Sequence, residues 1–284
     1  MSSPKGLIAG LGRFPIEVAR AARAAGASVV AVGLRGLTEA SLADEVDHFA
    51  WVHLGQIETI MGTFREAGAT ELVMAGKVPK TFLWQQPELI QPDATALRVM
   101  QGLADRKDDS LLGAVADLLV QEGFDLLGQA ELAPGLFAEE GVLGKVQPAP
   151  EQLRDVAFGW PVAKAIGDLD VGQTVVVRGA AVLALEAVEG TDEAVRRGCA
   201  LGEPGASVVK VAKPNQDMRF DVPTIGPTTL HALAEGGALA LAVEAGKTVV
   251  LDRSEVLALA DRHGIAVIGV APERIPGAGG GAPS

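Results

Sequence analysis

Between residues 6 and 76, short β-prone runs alternate with helix-forming stretches that end in glycine, and this alternation limits the fold more than any other feature of the chain. Gly6-Leu-Ile-Ala-Gly10 reads as a strand, Gly10-Leu11-Gly12-Arg13-Phe14-Pro15 as a glycine turn, and Ile16 to Ala25 as a helix stopped by Gly26. Val29-Val-Ala-Val32-Gly33 supplies a second strand, and Phe49-Ala-Trp-Val52 and Glu71-Leu-Val-Met74-Ala75-Gly76 supply two more around a helix from Gln56 to Ala67. Strands joined through helices in this way lie parallel, so the expectation is a Rossmann-like parallel-sheet domain. Gln86 to Gly102 is polar with helical tendency. Leu111 to Glu122 has the apolar spacing of a buried helix, and Phe124-Asp-Leu-Leu127 reads as the last strand of this half.

From Gly128 to Pro150 proline and glycine accumulate, which marks a crossing between domains near residue 130. Beyond it the text changes character. Gln152 to Ile166 reads as a helix, and Thr174-Val-Val-Val-Arg178 and Ala181 to Val188 read as an antiparallel hairpin. A helix capped by Thr191 follows, then strands at Ser207–Ala212, 238–243, 247–252 and 265–269, with helices near Thr229 and at Ser254–His263. The expected fold class is α/β: a Rossmann-like domain over residues 1–130, a C-terminal mixed α/β catalytic domain over 131–275, and a flexible Gly/Pro tail over 276–284.

Composition narrows the function. The formal charge is −12 and no basic run of five or more occurs, so broad binding to nucleic acid is not expected. Tyr is absent and there are three Trp and eight Phe, too few to build stacking platforms for single strands. One cysteine, Cys199, allows neither a disulfide framework nor a cysteine zinc site within the chain. No signal peptide and no apolar stretch of membrane-spanning length is read, so a cytoplasmic protein with at most peripheral membrane contact is expected. The four histidines, His48, His53, His231 and His263, lack zinc-ligand spacing. Neither a Walker phosphate loop nor a Gly-x-Ser-x-Gly elbow is present. A carboxylate and lysine site using a hard metal survives these exclusions.

Against an apolar background, one stretch concentrates the polar chemistry: Lys210, Lys213, Gln216, Asp217, Arg219, Asp221, Thr224 and Gly226 within residues 210–229. Pro214 and Pro223 break the strand before it and hold the loop extended, where it forms either a site or a solvated loop that caps the next helix. The turns at Gly10–Arg13 and Gly76–Lys80 fall at carboxyl ends of parallel strands, where ligands collect in α/β sheets; Lys77 and Lys80 read equally as surface lysines. The first turn invites comparison with the dinucleotide fingerprint. Pro15 stands where its third glycine would be, and the second strand lacks the acidic residue that binds an NAD ribose. Asp108-Asp109, after Arg106 and Lys107, could hold a magnesium ion or merely cap the helix that follows. Glu189-Gly190-Thr191-Asp192-Glu193 could form a ligand wall or a helix start.

Five blocks in order carry a family resemblance: Gly6-Leu-Ile-Ala-Gly10-Leu-Gly12-Arg-Phe-Pro15; Val73-Met-Ala-Gly76-Lys77-Val; Lys107-Asp-Asp109-Ser-Leu-Leu; Glu186-Ala-Val-Glu189-Gly-Thr191-Asp192; and Lys213-Pro-Asn-Gln216-Asp217-Met-Arg-Phe-Asp221-Val-Pro-Thr-Ile-Gly226. Together they resemble the UDP-2,3-diacylglucosamine pyrophosphatases of lipid A biosynthesis, the type unrelated to calcineurin-like phosphoesterases. Leu11 departs from the pattern, where the family usually has another glycine. The resemblance implies hydrolysis of UDP-2,3-diacylglucosamine to UMP and 2,3-diacylglucosamine 1-phosphate by attack at the β-phosphorus. It also implies a divalent metal, Mg²⁺ with Mn²⁺ able to stand in, a homodimer, and two α/β domains with the lipid nucleotide between them.

In that light Asp221 matches the family's catalytic acid. Gly10, Gly12, Arg13, Gly76, Lys77, Glu189, Gly190, Thr191, Lys210, Lys213, Gln216, Thr224 and Gly226 are expected to touch substrate, and Asp221, Asp217 and Asp192 to supply metal oxygens. Lysines and a divalent cation neutralise diphosphate oxygens that would otherwise repel the attacking water. The expected location is the cytoplasmic face of the inner membrane, with acyl chains in an apolar groove. An NAD(P)-dependent oxidoreductase and a non-catalytic binder of nucleotide sugars are the alternatives.

Overall fold

The computed structural model describes residues 3–79, 82, 85–102, 108–202 and 204–274. Lys80, Arg106, Lys107 and the tail at 276–284 lie outside the described residues, as do the side chains of Asp108, Asp109 and Ser110. Two compact units are present: Met1–Pro134 with Asp217–Phe220, and Gly135–Gln216 with Asp221–Ser284.

The first unit is built on a five-stranded parallel sheet in the order β3-β2-β1-β4-β5, from β1 (Lys5–Ala9), β2 (Val29–Leu34), β3 (His48–Val52), β4 (Glu71–Ala75) and β5 (Asp125–Leu126). β1 lies between β2 and β4 in register, Leu7 pairing Ala31 on one side and Val73 on the other. All six residues of β2 are buried, as expected for a strand covered on both faces. Helix α1 (Phe14–Ala24) starts with Pro15 in its first turn, where the missing N–H costs nothing. Helix α2 (Ile57–Ala67) buries Ile57, Ile60, Met61 and Phe64, the i, i+3, i+4, i+7 stripe of an amphipathic helix, and ends on Gly68 at φ 71°. Burying Phe64 completely contributes about 1.5–3 kcal/mol. The polar stretch from Gln86 resolves into a short 3₁₀ turn at Pro87–Leu89 and helix α3 (Ala94–Gly102). Helix α4 (Asp108–Gln121) leads through Gly123, at φ 89°, into β5, and the short helix α5 (Gln129–Leu132) closes the unit.

The second unit carries a mixed six-stranded sheet in the order β6-β13-β11-β9-β7-β8. Its members are β6 (Gly141–Val142), β7 (Thr174–Arg178), β8 (Ala181–Leu185), β9 (Ser207–Lys210), β11 (Ala240–Glu244) and β13 (Ala266–Val270). β9, β11 and β13 run parallel, while β7 is antiparallel to both β8 and β9, which is the hairpin read from the sequence. A separate parallel pair joins β10 (Thr224–Ile225) to β12 (Val249–Val250).

Helix α6 (Pro150–Asp168) covers one face of the large sheet, placing Val156, Trp160 and Ala163 against Val175, Val177 and Val209. Gly159 makes that approach possible, since a Cβ there would sit 2.8 Å from Val177 Cγ2. Helices α7 (Thr191–Ala200), α8 (Pro227–Glu235) and α9 (Arg253–His263) build the other core around Val195, Leu233, Leu241 and Val256. No helix among the described residues is long and apolar enough to cross a membrane.

Candidate functional site

In the first unit the two glycine turns meet each other. Leu11 N–H donates to the Lys77 carbonyl at 2.8 Å and Lys77 N–H returns a bond to Leu11 at 3.0 Å, while Gly10 N–H reaches Ala75 at 2.8 Å. A Cβ on Gly10 would lie 2.7 Å from the Lys77 carbonyl oxygen, and one on Gly76 2.8 Å from the Gly10 carbonyl carbon. The contact between turns therefore demands both glycines by itself. Gly12 differs: its φ is 97° and nothing stands within 4 Å of an added Cβ, so its backbone faces open space at the start of α1, beside exposed Arg13.

Next to these turns the same unit holds an apolar cavity of about 240 Å³. Ile8, Gly10, Met74, Gly76 and Val115 are among its lining residues, and so is Phe220, from the tetrapeptide Asp217–Phe220. Within that tetrapeptide Arg219 grips Asp217 with both of its forks, Nε to Oδ1 at 2.9 Å and Nη2 to Oδ2 at 2.6 Å, and also lies 3.7 Å from Asp117. The Arg219 guanidinium holds the Asp217 carboxyl below its ordinary value. Asp217 thus enters the structure as the partner of Arg219.

The remainder of the polar stretch belongs to the second unit and is laced by one side chain. Gln216 Oε1 accepts from Lys213 N–H at 2.9 Å, and Gln216 Nε2 donates to Asp221 Oδ2 at 2.7 Å. Lys213 Nζ donates to Asp170 Oδ1 at 2.6 Å. The backbone of Lys213 packs on α6 at Gly167, where an added Cβ would stand 3.3 Å from Lys213 Cα. Asp221 is half-buried. Thr224 Oγ1 donates to the Val222 carbonyl at 3.0 Å, and Gly226, with extended backbone, precedes α8.

A second polar knot forms where β9 faces the start of α7. Lys210, 6% exposed, donates to Thr191 Oγ1 at 2.7 Å, and Thr191 Oγ1 donates onward to Glu186 Oε1 at 3.0 Å. The expectation that Thr191 caps its helix is corrected here. Gly190 occupies the cap position, at φ 83° and ψ 172°, and the Thr191 hydroxyl serves as the bridge between a buried lysine and a buried carboxylate. Asp192 Oδ1 accepts from Thr229 Oγ1 at 2.9 Å and so ties α7 to α8. Glu189 is paired outward with Arg197 at 2.6 Å, which lowers its pKa.

The structure therefore gathers Lys213, Gln216 and Asp221 into one bonded run and Lys210, Thr191 and Glu186 into another, with Asp192 bonded separately to Thr229; neither Glu186 nor Thr229 was assigned a role from the sequence. Lys164 and Glu244 were missed outright. Glu244 carried a signal, a carboxylate ending the apolar strand Ala240-Leu-Ala-Val-Glu244. Among the described residues, no three His, Cys, Asp or Glu side chains gather into a set that could hold a metal ion.

These features define an α/β protein of two units in which Lys210, Glu186 and Glu244 are buried at or just past the ends of their strands. Family models place it further: the LpxI N-terminal domain matches residues 4–136 and the LpxI C-terminal domain residues 139–268, so the chain belongs to the LpxI family. It is 38% identical, over 95% of its length and 99% of the relative's, to the UDP-2,3-diacylglucosamine pyrophosphatase LpxI of Caulobacter vibrioides. Among solved structures it is similar to the biotin carboxylase domain of a thermophilic 2-oxoglutarate carboxylase, at 18% identity and TM-score 0.27, covering 70% of this chain and 33% of that one. The pyruvate carboxylase of Rhizobium etli gives 20% identity and TM-score 0.23, over 44% and 13% of the two chains. Neither structural match is close enough to bear on fold or function.

Proposed function

We propose that this chain hydrolyses the diphosphate of UDP-2,3-diacylglucosamine, releasing UMP and 2,3-diacylglucosamine 1-phosphate, as a step of lipid A biosynthesis. The observation that carries this reading is the identity of 38% over nearly the full length of a relative named for that activity. In the proposed step the oxygen of a water bonds to the β-phosphorus while the bond from that phosphorus to the bridging oxygen breaks. The electron pair leaves with UMP, and Asp221 takes the proton of the water. Gln216 holds the Asp221 carboxylate through Oδ2, and Lys213 and Lys210 supply positive charge for the phosphate oxygens, which an overall acidic chain must concentrate locally. Within the first unit Gly12, Arg13 and Lys77 would offer donors to the substrate, and within the second Gly190 and Thr224 would do so, with Glu189 doing so only on release from Arg197.

Magnesium takes oxygen ligands and is satisfied by one or two carboxylates together with substrate phosphates. Asp221 or Asp192 would each supply a single carboxylate beside the substrate phosphates, no three such groups gathering among the described residues, and Asp217 is less suited, with both oxygens engaged by Arg219. When bound, Mg²⁺ or Mn²⁺ would neutralise the diphosphate charge. The apolar cavity of the first unit suits an acyl chain, since its wall is built of aliphatic, methionine and phenylalanine side chains. Exposed Leu97 and Met100 on α3 would rest against the cytoplasmic face of the inner membrane. The edge strand β8, with Val182 and Leu185 exposed, offers a surface for a homodimer.

The test is release of UMP from UDP-2,3-diacylglucosamine by the purified chain, with and without a chelator. Tight binding without turnover would instead indicate a nucleotide-sugar binder, and NAD(P)H binding an oxidoreductase.

A further inference from the structure

Just before Lys213, both backbone polar groups of Ala212 are held by one ion pair, whose Glu244 is wholly buried and whose Lys164 is partly so. Ala212 N–H donates to Glu244 Oε2 at 2.9 Å, and Lys164 Nζ donates to the Ala212 carbonyl at 2.8 Å and to the same Glu244 oxygen at 2.6 Å. Lys164 comes from α6 and Glu244 from the carboxyl end of β11, so three elements converge on a single peptide. Glu244 is 0% exposed. Lys247 Nζ lies 3.0 Å from its other oxygen, within ion-pair range but not aligned as a hydrogen bond.

A buried ion pair is weak evidence for stability, because desolvation offsets its attraction, and its better-attested use is to fix one arrangement. Here the arrangement it fixes is the point where β9 ends and the loop bearing Lys213, Gln216 and Asp221 begins. From that point bonds continue without a gap: Lys213 N–H to Gln216, and Gln216 to Asp221.

We propose that Lys164 and Glu244 are positioning residues for the proposed hydrolysis, acting through Ala212 to set where Lys213, and through Gln216 where Asp221, stand. The inference rests on the pyrophosphatase reading given above. A group that stabilises charge only as the bond breaks, once displaced, lowers kcat more than it raises KM, and small displacements cost large factors.

The experiment measures kcat and KM for UMP release by the full-length chain as wild type, Lys164→Met, Lys164→Arg, Lys164→Met/Glu244→Gln and Lys213→Ala, and by Lys164→Met combined with Lys213→Ala. The expected result is a fall in kcat of roughly 10-fold or more for Lys164→Met with KM changed by about twofold or less. Lys164→Arg, which keeps charge and donors, recovers most of the loss. In the Lys213→Ala background, adding Lys164→Met changes kcat by about twofold or less, because neighbouring groups acting as one unit are not additive. If Lys164→Met alone fails to fold, the Lys164→Met/Glu244→Gln protein, which removes the charge of both partners and leaves only half-exposed Lys247, is read in its place, with the same expected fall. Wild-type kcat in the folded variants, equal losses in both Lys213 backgrounds, or full activity of Lys213→Ala overturns the inference while leaving the hydrolase reading intact. Absence of UMP release from the wild type overturns that reading, and the inference with it.

Discussion

Gly190 shows how much one residue can fix. Its φ of 83° and ψ of 172° lie in a region that essentially only glycine occupies, although an added Cβ would meet nothing within 4 Å. Gly190→Ala is therefore expected to cost about 1–3 kcal/mol through backbone strain alone, read as a lower urea midpoint. Glu244 gives a second prediction. Burial pushes its pKa up, but the bonds from Lys164 and the interaction with Lys247 outweigh that and leave it below 4.5. A carboxyl with a depressed folded-state pKa contributes stability that is full above the unfolded-state value and lost as pH falls through the folded value. Urea midpoints measured downward from pH 5 should fall more steeply in the wild type than in Glu244→Gln; parallel curves would contradict this. At this scale the sequence was legible where a glycine ended a helix, as at Gly68. It was misread at Thr191, because spacing alone cannot show that Lys210 and Glu186 would claim the hydroxyl.

At the scale of elements, α6 does more than cover a sheet. Its Asp155, 5% exposed, accepts from Gly179 N–H at 3.1 Å and Ala180 N–H at 2.8 Å, holding the β7–β8 turn in which Ala180 takes φ 59°. Asp155→Ala would leave two amide donors unmet and is expected to cost about 1–3 kcal/mol. Faster hydrogen exchange at residues 179–181 is the measurement, and unchanged exchange would contradict it. Helix α4 makes a different prediction through the cavity it lines. Val115→Trp should fill that space and raise KM for the diacylated substrate about 10-fold with little change in kcat, as expected for loss of uniform binding. Long elements were legible because period 2 and period 3.6 separate cleanly over five residues or more. The two-residue strands β6 and β10 were not read, since neighbouring strands define such short pieces and the local pattern does not.

For the whole molecule, the α/β class and the order of the longer strands and helices could be read, while the short helix Gln129–Leu132 and the strands β6 and β10 could not. What could not be read is that Asp217–Phe220 joins the first unit while its neighbours Gln216 and Asp221 belong to the second. Nor could the pairing of Lys164 with Glu244, which are 80 positions apart. Contacts at such separation leave no periodic trace, and only the folded chain brings them together. The candidate site was thus legible as a list of residue types near strand ends, and its wiring through Gln216 and Ala212 was not.

The central claim is that Asp221 serves hydrolysis of the diphosphate. Its most direct test compares UMP release from UDP-2,3-diacylglucosamine by the wild-type chain and by Asp221→Ala, with folding of both checked by circular dichroism. The account predicts steady release by the wild type and a loss of about 10²–10⁴-fold in kcat for folded Asp221→Ala. Equal rates from the two proteins would contradict it.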